Sequence, residues 1–301
     1  MTSQPDALPF TGERFTPECV REIWYEHQHR YAFAATHARG RRVLDAACGE
    51  GYGSAWLAAA GAQAVLGVDI DTDSVAHARR RYGNETTLRF ERADVTALDH
   101  LPAASFDLIV SFETLEHVEA QERLLDGFAR LLAPGGLLMV STPDKRTYSD
   151  DSGFRNEHHV RELYRPEFEA LLHARFPAVR LFGQKLLFQS VLFDPDHPPQ
   201  HAQACTVGRD GTLQPGLDYP PLYYLALCAA DPATLPLPAA SVHLFGDAAE
   251  SVYSHYNDEV RKHIRAGHLL AEQDERLKAL EADLAAARAR IQELEKREPH
   301  A

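Results

Sequence analysis

Apolar positions in this chain fall in short runs that end at glycine or acidic residues, with stretches of helical periodicity between them. VLDAA (Val43–Ala47) is one such run and stops in a glycine turn. GSAWLAAAG follows as an alanine-rich helix ended by Gly61. AVLGVDI (Ala64–Ile70) is a second buried run, and DTDSVAHARRRYG a second helix with Asp71–Ser74 supplying cap residues. LRFERADV, FDLIVSF and GLLMVSTP are three more strands, set apart by helical segments of which AQERLLDGFARLLAPGG is the plainest. Strand alternating with helix predicts parallel pairing through right-handed crossovers: an α/β, doubly wound, Rossmann-like and mostly parallel sheet. PAVRLFGQKLLFQSVLF and PLYYLALCAA read as the last two strands, and the Pro- and His-rich stretch between them as a long loop.

After Asp231 the pattern changes. PATLPLPAASVHLFGD is a Pro-punctuated connector, and from about Tyr256 charge and alanine dominate one long helical stretch. Leu270, Leu277, Leu284 and Ile291 recur every seventh residue, with Leu280, Ala287 and Leu294 between them, the a and d positions of a coiled coil. The flanking charges Arg276, Glu281, Asp283, Arg288, Arg290 and Glu295 suit a parallel homo-oligomer joined from about Leu269 to Leu294. The alternative is a solvated helix packed on its own domain. The predicted organisation is an N-terminal lid segment over 1–40, a catalytic domain over 41–230, a connector over 231–256 and a coiled-coil helix over 257–301.

With 301 residues, 45% of them hydrophobic, the chain is long enough for one large domain with appendages. A net charge of −13 weighs against a nucleic-acid partner, which requires surplus Lys and Arg to displace counterions. The opening MTSQPDALPF has no basic leader, and no apolar run approaches bilayer length, so the expectation is a cytoplasmic protein with no membrane span. Cys19, Cys48, Cys205 and Cys228 are scattered, which suggests neither a disulfide framework nor a zinc knuckle.

The glycine turn decides the chemistry. A dinucleotide fingerprint needs a third glycine where this chain has Ser54, and Asp45 and Glu50 beside Gly49, Gly51 and Gly53 would repel two phosphates. An ammonium-bearing ligand without phosphate suits Asp45 instead. S-adenosylmethionine is such a ligand. Asp69 then ends the second strand, where a carboxylate accepts both ribose hydroxyls. Asp94 follows the third, placed to accept from an adenine amino group with Ile70 and Val95 on the two ring faces. Taken alone, each acid also fits an ordinary strand-end or cap residue.

Four elements in order, VLDAACGEGYG, GVDI, RADV and LLAPGGLLMVSTP, resemble the class I S-adenosylmethionine-dependent methyltransferases across Val43 to Pro143. That resemblance implies a cofactor site of Asp45, Ala47, Gly49, Gly51, Asp69, Ile70, Asp94, Val95 and Phe112. Ala47 departs from the family, which carries a glycine there.

A second constellation follows the fourth strand, at the ligand-binding edge of such sheets. In SFETLEHVEAQ, Glu113, Glu116 and His117 are spaced to share one side of a helical turn, and FRNEHHVRELY supplies His158 and His159. Two carboxylates and two imidazoles suggest a divalent cation (Mg, Mn, Fe or Zn) on mixed N/O ligands. The ExxEH motif with a later histidine resembles the O-methyltransferases of ubiquinone biosynthesis and the small-RNA 2′-O-methyltransferases. That resemblance implies metal ligands at Glu113, Glu116, His117 and His159, with His158 as the alternative to His159. Without metal, His117 or His159 serves as general base, with Glu113 in the catalytic set. A third reading leaves ExxEH as a helix start, with Glu113 lining the cofactor pocket and His117 merely packed.

Upstream, Tyr25, His29 and Arg30 are candidates to touch the methionine carboxylate or the acceptor, while Trp24 and Tyr31 also fit plain packing. The combination TGERFTPE, YEHQHRYAFA, SFETLEHV, STPDK and a coiled-coil tail resembles methyltransferases of bacterial surface-glycan clusters. It implies O-methylation of a sugar hydroxyl in a lipopolysaccharide- or capsule-type glycan. The alternatives are O-methylation of a small natural product or quinol-like phenol, and a coiled-coil scaffold carrying a vestigial methyltransferase domain.

Overall fold

The computed structural model describes residues 22–84, 86–196, 202–236 and 242–297. Cys19 and the TGERFTPE opening lie outside the described residues. The chain divides into two units, meeting between Phe245 and Gly246.

The first unit is a seven-stranded sheet. Its strands are β1 (Arg42–Ala46), β2 (Ala64–Asp69), β3 (Leu88–Arg92), β4 (Phe106–Ser111), β5 (Leu132–Pro143), β6 (Ala178–Gln184) and β7 (Tyr223–Ala229). Their spatial order is β3-β2-β1-β4-β5-β7-β6. The first five run parallel, and β7 inserts antiparallel to both β5 and β6. Successive residues of a strand face opposite sides. Val43, Leu108, Val110, Leu137 and Met139 therefore pack under α1 (Glu22–Ala35), α2 (Tyr52–Ala59) and α3 (Thr72–Arg81). Leu44, Ile109, Leu138 and Val140 face α4 (Gln121–Leu131) and α5 (Arg165–His173) on the other side. Burial on both faces is why these strands read as unbroken apolar runs. The doubly wound prediction stands.

Three features of this unit differ from the sequence expectation. β5 begins at Leu132, so APGG, expected to close the preceding helix, opens the strand through an irregular register beside Phe106 and Leu108. β6 ends at Gln184 although LLFQSVLF continues the apolar run. It is an edge strand, and its partner β7 starts at Tyr223, opposite Gln184, so there is nothing further to pair with. The long loop contains a small hairpin, Cys205–Val207 with Leu213–Pro215.

The second unit is dominated by α6 (Ser251–Arg297), which starts ahead of the expected residue 257. The Asp247 carboxylate accepts from the Ser251 N–H at 3.0 Å and so satisfies an end donor. No helix among the described residues is long and apolar enough to cross a membrane.

The turn after β1 shows why its glycines are needed. Gly51 has φ +93° and caps α2, and a Cβ there would lie 2.7 Å from the Phe90 ring. At Gly53 a Cβ would fall 2.0 Å from the ring of Tyr31. Tyr31 is pinned, because its hydroxyl donates to Asp45 Oδ1 at 3.0 Å while Ser54 Oγ donates to Oδ2 at 2.6 Å. Asp45 is thus a buried joint between α1, β1 and α2. Burial pushes its pKa up to about 6, against the lowering effect of its two hydrogen bonds.

Two stability predictions follow from this joint. Gly53→Ala should destabilise by about 1–3 kcal/mol through overpacking, while Gly127→Ala, whose Cβ meets nothing within 4 Å, should be neutral or gain up to about 1 kcal/mol. Denaturant titration of both variants checks the contrast. Asp45 has a folded pKa above its unfolded value, so its ionisation costs stability as pH rises from 3.8 through about 6. Measured against Asp45→Asn, the natural protein should lose up to about 3 kcal/mol between pH 4 and 7.

Candidate active site

The carboxyl ends of β1 to β5 surround a cavity of about 920 Å³, flanking the point between β1 and β4 where the strand order reverses. The loops carry its chemistry. After β1, Ala47 takes φ +64° and Gly49 φ +55°, both in the left-handed region. Ala47 therefore holds a backbone conformation that a glycine, expected there from the family resemblance, would adopt without strain. The Gly49 N–H donates to Asp69 Oδ2 at 2.8 Å, and the Asp71 N–H donates to Oδ1 at 2.9 Å. Asp69 therefore lies on the cavity wall with both oxygens oriented by backbone. Asp94 is fixed similarly, accepting from the Thr96 N–H and hydroxyl at 2.8 Å each. Ile70 is 61% exposed at the wall, and Val95 and Phe112 line it as buried apolar surface.

Of the sequence-expected cofactor residues, Ala47, Gly49, Asp69, Ile70, Asp94, Val95 and Phe112 line this one cavity. Two do not. Asp45 is buried beneath the loop with its oxygens committed to Tyr31 and Ser54, so it shapes the turn and does not face a ligand ammonium. Gly51 turns its α-carbon toward Phe90 and Ala78.

The walls are acidic. Asp69, Asp71, Asp94, Glu113, Glu116 and Glu119 all line the cavity, and among the described residues no Lys or Arg lines it. Such a chamber repels phosphate and suits a cationic ligand. Asp69, Ile70, Asp94 and Val95 lie together on this wall.

At the far end, ExxEH does not form one helical face. Only Leu115–His117 form a single 3₁₀ turn, and Glu113 stands before it at φ +49°. Its N–H donates to Ser141 Oγ at 3.1 Å, Ser141 Oγ donates back to Oε1 at 2.7 Å, and Arg30 Nη1 lies 3.4 Å from Oε1. Arg30 is buried, its Nε donating to Gln184 Oε1 at 2.7 Å and its guanidinium 4.6 Å from the Tyr223 ring centre. Glu113 is therefore held away from the imidazoles.

Glu116, His117 and His159 converge, with one ligand-capable atom from each lying within 4.8 Å of the others. Among the described residues this is the one such cluster; Glu113 is not part of it, which corrects the four-ligand expectation. Glu116 is 1% exposed and accepts from Thr142 Oγ1 at 3.1 Å; burial first, then the charge of Glu113, hold its carboxyl well above the usual range. His117 Nδ1 donates to the His158 carbonyl at 3.0 Å, and its Nε2 lies 3.9 Å from Glu116 Oε1. His159 Nδ1 is 2.6 Å from Glu162 Oε1, and the Asn156 side-chain nitrogen is 3.0 Å from Nε2, an arrangement satisfied by Nδ1–H donating to the carboxylate. Both imidazoles thus carry the outer hydrogen bond that usually orients a metal-ligating histidine. Two imidazoles and one carboxylate fit Mn, Fe or Zn better than Mg.

Of the two histidines, His159 is the one whose ring joins Glu116 and His117. His158 contributes its carbonyl, and its ring lies near Glu157. Glu162, Ser149, Asn156 and Tyr148 had no motif to reveal them. Ser149 Oγ donates to Glu162 Oε2 at 2.5 Å, and the Tyr148 ring stacks on His159 at 5.3 Å. The one available hint was the i, i+3 spacing of His159 and Glu162.

From α1, Ile23, His27 and Tyr31 reach this cavity, and the candidates Tyr25, His29 and Arg30 do not line it. Tyr25, His29 and Arg30 border a second cavity, of about 480 Å³, beside β6. His29 stacks there on Phe245 at 5.4 Å, and its pKa falls to about 4, chiefly through burial.

Comparison with known proteins gives the same picture. Residues 44–140 match the methyltransferase-domain family. A Mycobacterium tuberculosis protein named "Probable S-adenosylmethionine-dependent methyltransferase" is 40% identical over 186 residues, 60% of this chain and 66% of its own length, so the chain spans just under two thirds of that relative. The ubiquinone biosynthesis O-methyltransferase of Psychrobacter cryohalolentis is 35% identical over 113 residues, covering 36% of this chain and 44% of that protein. Among solved structures, one is the complex of the Haloferax volcanii Trm112 methyltransferase activator with a methyltransferase. It matches with TM-score 0.50 at 18% identity over 68% of this chain and 90% of that one, a likeness of fold. Residues 44–140, which carry the glycine turn and the acidic strand ends, match a methyltransferase domain, and the chain is similar to proteins named as S-adenosylmethionine-dependent methyltransferases.

Proposed function

We propose that the protein is an S-adenosylmethionine-dependent O-methyltransferase acting on a sugar hydroxyl during glycan biosynthesis. The observation that carries the first half is the acidic chamber at the strand ends, with Asp69 and Asp94 oriented by backbone donors and no Lys or Arg among the described residues of its wall. The sugar half is supported by the sequence resemblance to glycan-cluster enzymes. The acidity of the same wall favours a neutral sugar over a phosphate-bearing acceptor.

When bound, S-adenosylmethionine supplies a methyl group on a sulfonium, which a hydroxyl attacks only as it loses its proton. In this reading His159 Nε2 takes that proton. Its Nδ1–H points to Glu162, which fixes the tautomer and stabilises the imidazolium that forms, and Ser149 holds Glu162 in turn. Tyr148 limits rotation of the ring by stacking on it. Asn156 yields its contact with Nε2 to the incoming hydroxyl. Tyr148, Phe154 and Tyr223 offer aromatic faces for the acceptor.

The clustering of Glu116, His117 and His159 supports a second reading, in which these three residues hold a divalent ion. Such an ion would lower the hydroxyl pKa and fix its direction. For the acceptor, the alternative is a small phenol or natural product, supported by the similarity to a ubiquinone-pathway enzyme.

Asp69→Ala should weaken S-adenosylmethionine binding by about 1.5–3 kcal/mol per charge-assisted bond lost. Calorimetry finding unchanged affinity, or tighter binding of NAD by the natural protein, contradicts the cofactor assignment. His159→Ala should cut turnover by about 10²–10⁴-fold, with Glu162→Gln showing an intermediate loss and both keeping cofactor affinity. Full activity in chelator favours the base; loss restored by one divalent ion favours the metal. Methyl-labelled cofactor offered with neutral glycan, nucleotide-sugar and phenol pools should label the glycan pool, and label in phenol alone would replace the sugar reading.

A further inference from the structure

The methyltransferase site leaves the second unit without a task, and its helix carries a pattern of its own. α6 runs 47 residues, about 70 Å at 1.5 Å per residue. Along it Leu270, Leu277, Leu280, Leu284, Ile291 and Leu294 form one stripe, each between 48% and 70% exposed in the single chain. Leucine recurs there with the 3.5-residue average spacing of a two-helix seam, a spacing that a solvated helix has no reason to keep.

We propose that residues 269–294 of α6 pair with the same segment of a second copy in a parallel, two-stranded coiled coil. Charge selects both the occupant and its direction. With Leu277 and Leu284 at a, each g residue faces the e residue five further along in the other helix. Arg276 then meets Glu281, Asp283 meets Arg288, and Arg290 meets Glu295 of the second copy, opposite in sign every time. A different partner would match all three pairs only by coincidence, whereas a second copy supplies them automatically. An antiparallel arrangement with the same leucines overlapped sets Asp274 against Glu295 and so mixes repulsion with attraction.

The ion pairs seen within the single helix leave this pattern intact. Lys278 lies 2.8 Å from Asp274 and 3.2 Å from Glu275, with the lysine at b, away from the seam. Arg290, 2.9 Å from Glu293, exchanges one exposed partner for another when it meets Glu295. Gln273 and Ala287 occupy d positions; the first tends to fix register, and the second fills a two-helix core more nearly than a wider three-helix one.

The test uses the full chain, because every substitution falls on an exposed residue of α6 and leaves the first unit unaltered. Light scattering and sedimentation at micromolar concentration should give twice the chain mass. Leu277→Asn with Leu284→Asn should give the single mass while the methyltransferase unit keeps its melting temperature. Arg276→Glu should raise the dimer dissociation constant about tenfold, as two attractive contacts become repulsive. Adding Glu281→Arg should restore it in a parallel pair; in an antiparallel one the new arginine would meet Arg288. A natural chain at single or triple mass, or leucine variants that stay paired, overturns the coiled coil. Failure of the charge exchange to rescue overturns the parallel arrangement. None of these outcomes depends on which acceptor the enzyme methylates.

Discussion

The hydrogen bond from the Gly49 N–H to the Asp69 carboxylate joins the loop after β1 to the end of β2, at 2.8 Å. It works only because Ala47, Gly49 and Gly51 adopt left-handed backbone, which turns the loop back over the sheet edge. Beneath it the buried Asp45 ties Tyr31 to Ser54 and so links α1, β1 and α2. Placing Asp69 on the cavity wall, with its carboxylate already oriented, follows from those contacts. The rest of the cavity inherits its shape from them, since β1 and β4 meet at the reversal of strand order and their loops face each other across the gap.

Across that gap the acids are kept apart by distinct means. Asp69 and Asp94 are stabilised by backbone and hydroxyl donors, Glu113 by Ser141 and the buried Arg30, and Glu116 by Thr142. Glu113 needs φ +49°, unusual for a residue with a side chain, and such strain persists where surrounding contacts over-determine it. Here those contacts separate the Glu113 carboxylate from the Glu116–His117–His159 cluster. Two chemically distinct sub-sites within one chamber result.

Much of this was legible in the sequence, for identifiable reasons. Parallel strands buried on both faces leave continuous apolar runs, and the acids that end β2 and β3 stand at fixed offsets from them, so Asp69 and Asp94 could be named directly. Asp45 was also visible, but chain order does not say whether a strand-end carboxylate points up to a ligand or down to a tyrosine. ExxEH suggested a helical face, yet the backbone at Glu113 is left-handed and only a single turn forms, which removes one of four expected ligands. Glu162 and Tyr148 were hidden because their partner His159 is set by a loop and a turn, where no period links neighbours. β6 ended early because pairing, not hydrophobicity, limits an edge strand.

The most direct measurement is a crystal structure of the protein with S-adenosylhomocysteine. The account predicts ribose hydroxyls within hydrogen-bonding distance of Asp69, the adenine between Ile70 and Val95, and the sulfur facing His117 and His159. A ligand seated elsewhere, or one whose sulfur turns away from the two histidines, would contradict it.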